Sequence, residues 1–494
     1  MQYRKHSRKE IKKRRLAGIR RKTIQSQLTK SSATKLFYDL LADMDTDQFN
    51  AGNYTVPQSK TVLRKAKSDW NLHDVQHKDP FTELCIVSEI LNECEIEITK
   101  LGIRGYVQSI TYSLVSVVMF TYQSLLAVKM NIQHGDGVLY IDATGSVAYL
   151  ARNKRQHLLY YAMGIDEQGT AVPVLEFILD HRTTAAIVNT LMLYFSILRK
   201  LTKFCQPKRV ELDFSWAIIH SILLVLNCSA IHVYIRYCYN VAMSSLAPNP
   251  DITVVHICAA HMMKAFWDNI RDKFSDKCIR QNALKAFALL QNSTEVPELD
   301  DIWRMIVVLF GTRVETASVS AALQRFKAMP MNTEVDEDET NADSDSSMRN
   351  EDEEAFLLIG RWCSGSDYVE SGNYEDNNYF EPIVLEVLQN QYLPLVCLWS
   401  GLLVGDISRH MSNNDCDKLL TRDTNSTCES WFNVVKSSLL GKHGPQRIGL
   451  FVKTVYKDVK GRLREYLGDA ELKGKETTPV PDTMHQATEG WRRK

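Results

Sequence analysis

Three acidic residues have the types and positions that handle divalent cations and phosphodiesters. Asp142 ends the apolar, β-prone run 138–141, and Asp213 follows the short predicted strand 209–212 in the same way. A carboxylate at the end of a buried strand must be solvated, hydrogen-bonded or bound to a metal. Taken alone, Asp142 has the pattern of a turn-capping residue. The second Asp of the same kind, with Glu429 further on, is what indicates chemistry.

Glu429 falls in the early turns of a helix predicted over residues 424–440. Asn433 and Lys436 follow four and seven residues later and share its helical face, whereas Trp431 belongs to a different face suited to packing. The helix pattern by itself is equally that of a surface Glu on an amphipathic helix. The predicted caps of this helix are Thr424 and Asn425.

The chemistry of such a set follows from its charges. Two carboxylates held close together raise each other's pKa unless a cation neutralises them. Mg²⁺ and Mn²⁺ prefer hard oxygen ligands of this kind. A pair of ions roughly 3.5–4 Å apart can activate a water molecule and stabilise the leaving oxygen of a phosphodiester. The carboxylates therefore predict metal-dependent cleavage of a nucleic-acid backbone.

The elements that must position these carboxylates alternate from Gly137 onwards. The order is three strands, helix, strand, helix, strand, helix, with a tight turn at 164–169. Three antiparallel strands followed by two parallel ones form the ribonuclease-H-like α/β topology, in which the first and fourth strands are neighbours. Asp142 and Asp213 would then face each other. The predicted strands are 138–143, 157–165, 171–179, 209–212 and 253–258, and the predicted helices are 183–200, 216–227 and one from about Ala259.

Domain organisation follows from where the strands stop. Beyond about Arg271 the spacing of apolar residues predicts helices only, which indicates a large all-helical insertion before Glu429. A mostly helical region precedes the sheet. The predicted segments are a basic tail and helical N-terminal region (1–104), the first part of the core (105–271), the helical insertion (272–423), the last core helices (424–471) and a disordered tail (472–494).

Charge is segregated along the chain, although the formal net charge is +0. Residues 1–22 hold eleven Lys or Arg against one acidic residue, and 334–355 hold eleven Asp or Glu against one Arg. The acidic segment has too little apolar surface to order itself, so we expect a disordered loop. The basic segment is either a solvated tail or a nucleic-acid contact that doubles as a nuclear localisation signal. The basic cluster is Lys12, Lys13, Arg14 and Arg15.

Composition excludes several classes of protein. The 45% hydrophobic and 24% charged content is that of a globular protein of two or three domains. The eleven cysteines have no C-x-x-C pair, which favours reduced thiols and an intracellular protein. The uncharged stretch 105–128 carries too many polar groups for a membrane span, and the basic N-terminus lacks the apolar run of a secretory signal.

The ordered set IDATG, ELDFSW, HICAAHMMKAFW and TNSTCESWFNVVK resembles the DDE transposases of Mutator-like elements. The resemblance covers about residues 110–460 and includes a C-x-x-H motif, Cys258 and His261. It implies a catalytic triad of Asp142, Asp213 and Glu429 holding two Mg²⁺ or Mn²⁺ ions. It also implies double-stranded DNA as substrate, a homo-oligomer that cuts two DNA ends, and a nuclear location. Expected DNA contacts are the basic tail, Asn433, Lys436 and Arg447.

Alternatives remain for the motif and for the whole chain. Cys258 and His261 could bind Zn²⁺, for which two more ligands are needed. Otherwise they are structural, with His261 hydrogen-bonded near the sheet or contacting DNA. The chain could equally be a transposase-derived DNA-binding protein or regulator without catalysis. A generic ribonuclease-H-like nuclease fits less well, because of the helical insertion and the C-x-x-H motif.

Overall fold

The computed structural model describes residues 16–44, 47, 59–73, 76–92, 101–150, 158–203, 206–274, 276–329, 376–403, 425–441 and 444–476. Three predicted features lie outside these residues: the basic cluster 12–15, the acidic loop 334–355 and the tail beyond 476.

A seven-stranded mixed sheet forms the centre of this α/β structure. Its order is β1-β2-β6-β5-β3-β7-β8, and the last two pairings, β3 with β7 and β7 with β8, are parallel while the others are antiparallel. The strands are β1 (Val107–Thr111), β2 (Ser116–Met119), β3 (Val138–Thr144), β4 (Ala148–Tyr149), β5 (Leu159–Glu167), β6 (Thr170–Leu179), β7 (Arg209–Leu212), β8 (Val254–Ile257) and β9 (Gln446–Arg447). The two short strands β4 and β9 pair separately, in parallel.

The five strands predicted from the sequence are β3, β5, β6, β7 and β8, and their antiparallel and parallel pairings follow the predicted order. The predicted turn at 164–169 is too long. Both strands continue into it, and only Gln168 and Gly169 connect them. Their φ values of 53° and 83° are left-handed, as a two-residue hairpin turn requires.

The elements that were not predicted include β1 at the edge of the sheet, the short strands β4 and β9, and a helix over 231–242. The helix after β2 begins at Tyr122, behind a capping box formed by Thr121 and Ser124. Strand β1 (VQSIT) was missed because it lies at the edge of the sheet, where its polar residues interrupt the alternation of apolar and polar side chains that marks a half-buried strand.

The helices pack on both sides of the sheet and continue into the insertion. Aromatic rings join the insertion to the sheet-covering helix at Phe266, where Phe287 stacks at 4.5 Å and Trp399 stacks on Phe287 at 4.7 Å. One hydrophobic core therefore includes sheet and insertion. The helices are α1 (Gly18–Lys30), α2 (Ala33–Ala42), α3 (Lys60–His73), α4 (Pro80–Ile90), α5 (Tyr122–His134), α6 (Thr184–Thr202), α7 (Trp216–Leu226), α8 (Ile231–Ala242), α9 (Ala259–Arg271), α10 (Lys277–Gln291), α11 (Val296–Gly311), α12 (Ala317–Ala328), α13 (Pro382–Val387), α14 (Val396–Trp399), α15 (Ser426–Asn433) and α16 (Ile448–Glu476).

Two predicted boundaries need correction. Helix α4 was assigned to the N-terminal region, but its Leu84 and Val87 belong to the main core, whereas α1, α2 and α3 share a small core of their own around Leu28 and Leu63. At the other end, α16 runs to Glu476, past the predicted start of the disordered tail at 472.

Among the described helices, no single one has the length and apolarity to cross a bilayer. Helices α7 and α8 together are long and apolar enough, but the pair is bent by 74°.

Candidate active site

Asp142 and Asp213 lie side by side on adjacent parallel strands. The register pairs Ile141 of β3 with Leu212 of β7, so each Asp is the next residue of its strand. Both carboxylates accept a hydrogen bond at 2.6 Å from the following backbone amide, that of Ala143 or Phe214. Asp142 was predicted to end its strand but lies two residues inside it, because β3 continues to pair with β5 after β7 has ended.

Glu429 is brought to this edge by α15, in whose first turn it lies. The N-cap residue is Asn425, as predicted, but its side chain does not cap the helix. Its Nδ2 instead donates to the Ile141 carbonyl at 3.0 Å, and its backbone amide donates to Sγ of Cys258 at 3.2 Å. These two contacts fix the start of α15 against the strand that carries Asp142.

His261 lies between two of the carboxylates. Its Nδ1 is 3.6 Å from Oδ1 of Asp213, and its Nε2 is 3.5 Å from Oε1 of Glu429. It comes from the first turn of α9, which begins directly after β8 and Cys258. Asp213 and Glu429, 216 residues apart (429 − 213), therefore meet around one imidazole, and the charges of both act on the buried Asp142.

Electrostatics separate the three acids. Asp142 is 6% exposed, whereas the side chains of Asp213 and Glu429 are 33% and 49% exposed. Burial, and then the charges of Asp213 and Glu429, raise the pKa of Asp142 well above its usual range, while the Ala143 amide and the charge of Lys436 oppose the rise. A buried carboxylate with two acidic neighbours has a strong demand for positive charge.

A divalent cation fits this demand by its chemistry, because hard carboxylate oxygens are the ligands that Mg²⁺ and Mn²⁺ prefer. Within the described residues, no group of three or more His, Cys, Asp or Glu side chains already has an arrangement that could hold a metal ion. The carboxylates of Asp142, Asp213 and Glu429 have the chemistry that such an ion requires, and His261 lies between the last two.

The predicted DNA contacts have different surroundings. Asn433 and Lys436 are exposed. Lys436 lies just after the end of α15, and its charge acts on Asp142, so it lies near the site. Arg447 lies in β9 instead, with its Nε 2.7 Å from the buried carboxylate of Glu83 and its Nη2 donating to the His77 carbonyl at 2.8 Å. A guanidinium committed inside the protein argues against the predicted contact with DNA. The basic cluster 12–15 lies outside the described residues.

Cys258 and His261 have contacts of different kinds. The Cys258 thiol is buried, and burial raises its pKa to about 12, so it remains protonated. A thiolate is what zinc requires. Zinc at this pair stays a prediction, which the thiol's hydrogen bond with Asn425 and the position of His261 beside two carboxylates weaken.

Two features of the site had no signal strong enough to find them. The bond from Asn425 to β3 spans 284 residues, and no periodicity reports such a pairing. After Asn433 the helix widens into a π-helix over Val434–Leu439, a form that is frequent at functional sites and changes the direction in which Lys436 projects.

The fold and site define a mixed α/β protein with a carboxylate–histidine cluster at one end of its parallel strands. No protein-family model matches the chain, and no curated protein matches it either.

Proposed function

We propose that the chain is a metal-dependent DNA-cutting enzyme of the DDE transposase type, built on a ribonuclease-H-like core. The observation that carries the proposal is the convergence of Asp142, Asp213 and Glu429, two from neighbouring strands and one from a helix beyond a long insertion. The strand order β6-β5-β3-β7-β8, antiparallel and then parallel, is the order expected for that core and supports the assignment.

Each residue has a role that follows from its place. Asp142, Asp213 and Glu429 would hold one or two Mg²⁺ or Mn²⁺ ions. Such ions, when bound, activate a water molecule and stabilise the leaving oxygen of a phosphodiester. While no metal ion is bound, a protonated His261 would balance the charge of Asp213 and Glu429. Lys436 supplies an exposed positive charge that attracts phosphate.

The test is nicking of supercoiled plasmid DNA by the full chain, measured with Mg²⁺, with Mn²⁺ and with EDTA. We expect nicking that requires the metal and is lost in Asp142→Ala, Asp213→Ala and Glu429→Ala, together with loss of Mg²⁺ binding by calorimetry. Asp251→Ala removes an exposed carboxylate elsewhere and should change neither result. Nicking that survives Asp142→Ala would overturn the proposal.

A second candidate is a transposase-derived DNA-binding protein without catalysis. The observation that favours it is His261, which already lies between Asp213 and Glu429 where a cation would be needed. This candidate predicts DNA binding that Asp142→Ala leaves unchanged and no nicking with either metal. Many near-identical gene copies with terminal inverted repeats would favour the active element, and a lone copy would favour the DNA-binding protein.

Assembly and location extend the same proposal. Cutting two DNA ends requires two active sites, so we propose a homo-oligomer on its DNA, acting in the nucleus. Light scattering with and without a DNA duplex tests the first point, and a single species of one-chain mass in both conditions would contradict it.

A further inference from the structure

A fourth acid lies in the same row of the sheet as Asp142 and on the same face. The register pairs Asp142 with Ala162 and Ala162 with Glu176, which places Glu176 two strands away, at roughly 9–10 Å. Glu176 is 1% exposed. The proposed cleavage does not use this carboxylate, and a charged group so deeply buried requires a physical explanation.

A chain of hydrogen bonds connects Glu176 to the helix that carries Glu429. The hydroxyls of Tyr106 and Tyr160 both donate to its carboxylate. The oxygen of Tyr160 in turn accepts a hydrogen bond from Nε1 of Trp431 at 2.8 Å. Trp431 follows Glu429 by two residues on α15 and is buried. Hence α15 is tied to the sheet at its start by Asn425 and further along by Trp431.

Counting protons shows which state of Glu176 suits this chain. Three contacts join the four side chains, and with an ionised carboxylate there are three donor hydrogens for them: two hydroxyls and one indole N–H. Protonation of Glu176 adds a fourth hydrogen without adding a contact. Two hydrogens must then share an oxygen that accepts only one of them in the ionised network. We expect this conflict at Tyr160, because its hydroxyl is the group that contacts both Glu176 and Trp431.

The surroundings of Glu176 bring its protonation close to neutral pH. Burial, and to a smaller extent the charge of Asp458 on α16, raise the pKa of Glu176 to about 7, against the lowering effect of the two tyrosine hydroxyls. Asp458 is paired with Arg462 at 2.8 Å, and the Arg462 guanidinium lies 5.3 Å from the Trp431 ring. Other groups near the network are Tyr456, whose ring lies 4.7 Å from that of Tyr106, and Lys460, 5.5 Å from the Tyr456 ring.

We propose that Glu176 is a positioning residue whose ionised form holds α15, and with it Glu429, in place through Tyr160 and Trp431, and whose protonation loosens that hold. The catalytic consequence rests on the proposed function, whereas the coupling of Glu176 to Trp431 does not. The device makes the carboxylate site sensitive to pH from a residue that touches neither metal nor DNA.

The first test observes the coupling directly. The indole N–H resonance of Trp431 is followed by NMR across the pH range of the Glu176 titration and is assigned by its loss in Trp431→Phe. We expect a shift with its midpoint near the Glu176 pKa of about 7. In Glu176→Gln, a neutral residue of the same shape, the resonance should stay at the acid position at every pH.

Two tyrosine variants form a matched pair for this test. Tyr106→Phe and Tyr160→Phe each remove one hydroxyl that donates to Glu176, but only Tyr160 also contacts Trp431. We expect Tyr106→Phe to keep the pH-dependent indole shift and Tyr160→Phe to abolish it. An indole resonance that does not move with pH in the unmodified protein, or that moves equally in Glu176→Gln, would overturn the proposal.

The second test measures the catalytic consequence. Mg²⁺-dependent nicking should rise across the same pH range in the unmodified protein, and at alkaline pH Glu176→Gln should have kcat lowered by about tenfold with KM for DNA unchanged. Glu386→Gln, an exposed carboxylate on α13, should behave as the unmodified protein. Absence of nicking in the unmodified protein sinks the proposed function only, because the indole titration decides the positioning proposal separately. If Glu176→Gln had the same kcat as the unmodified protein while the indole resonance behaved as expected, the catalytic consequence of the proposal would be wrong and the coupling would stand.

Discussion

Asp142 and Glu176 lie in one row of the sheet, beneath one helix, and are both buried, yet their neighbours differ completely. Asp142 faces two other acids, whose charges add to the effect of burial. Glu176 faces two neutral hydroxyls that satisfy both of its oxygens. The first carboxylate demands a cation from outside the protein, while the second is complete without one. This difference separates a site that binds from a network that supports it.

A third buried carboxylate, Glu83, extends the comparison. Its partner is Arg447, so its charge is balanced by a permanent cation of the chain itself. Gly449 packs so closely on Glu83 that a Cβ there would come within 2.7 Å of the Glu83 Cγ, which leaves room for no larger residue. Like charges, hydroxyls and a guanidinium thus give three buried acids three different uses.

Removing the charge of Asp142 should have the largest effect on activity. Asp142→Asn should lower metal-dependent nicking by about a thousandfold or more, ~4 kcal/mol, because an amide is a poor ligand for a hard cation. The same change should raise the melting temperature in EDTA, since it removes a buried charge that faces two acids. Thermal unfolding with and without Mg²⁺, beside the nicking assay, measures both effects. A variant that is both inactive and less stable in EDTA would contradict the electrostatic account.

Removing the cation from Glu83 should have the largest effect on folding. Arg447→Met leaves a buried carboxylate unpaired and should lower the free energy of unfolding by about 3–5 kcal/mol. Urea denaturation measures the loss, and Lys436→Met is the matched control because that side chain is exposed. Equal stability of the two variants would mean that the Arg447 pair contributes little, and that its role as a DNA contact should be reconsidered.

The pH dependence of stability sharpens the contrast for Glu176. Its pKa in the folded protein, about 7, exceeds the ordinary 4.5, so its contribution is fully present below about pH 4.5 and is lost as pH rises to about 7. Between these limits the stability of the unmodified protein relative to Glu176→Gln should fall by an amount on the order of 3 kcal/mol. Urea denaturation of both proteins at several pH values gives this difference, and a constant difference would show that Glu176 does not titrate in this range.

Asp142, Asp213 and Glu429 show how much of the site could be predicted from the sequence. The apolar run 138–141 predicted nearly all of β3, and apolar residues alternating with charged ones at 209–212 mark β7. The Asp after each of these segments gave half of the site, because burial and strand pairing impose a short-range pattern. Glu429 was found because the first turn of a helix has its own signals. The pairing of the strands then followed from topology.

What the sequence did not reveal depends on pairs far apart in the chain. Tyr106 and Trp431 meet Glu176 and Tyr160 across 70 and 271 residues, and their types are those of ordinary core residues. Arg447 looked like a phosphate contact because composition records its charge but not the Glu83 that neutralises it. His261 was recognised by its motif, but its position between Asp213 and Glu429 required the folded chain.

The smallest predicted effect concerns Lys436, which the sequence analysis grouped with Arg447 as a DNA contact. Lys436→Ala should weaken DNA binding by about 1 kcal/mol and lower the salt dependence of binding by about one ion, whereas folding stability should not change. The reason is its exposed position in the π-helix that follows α15, close enough to Asp142 for its charge to lower the pKa of that carboxyl. Lys273→Ala is the control, since this exposed lysine follows the end of α9, about 18 Å along the chain direction from His261. Fluorescence anisotropy with a labelled duplex at several salt concentrations measures both slopes. Identical slopes for Lys436→Ala and Lys273→Ala would place the DNA on another face, and the carboxylates would then be open to solvent without a substrate beside them.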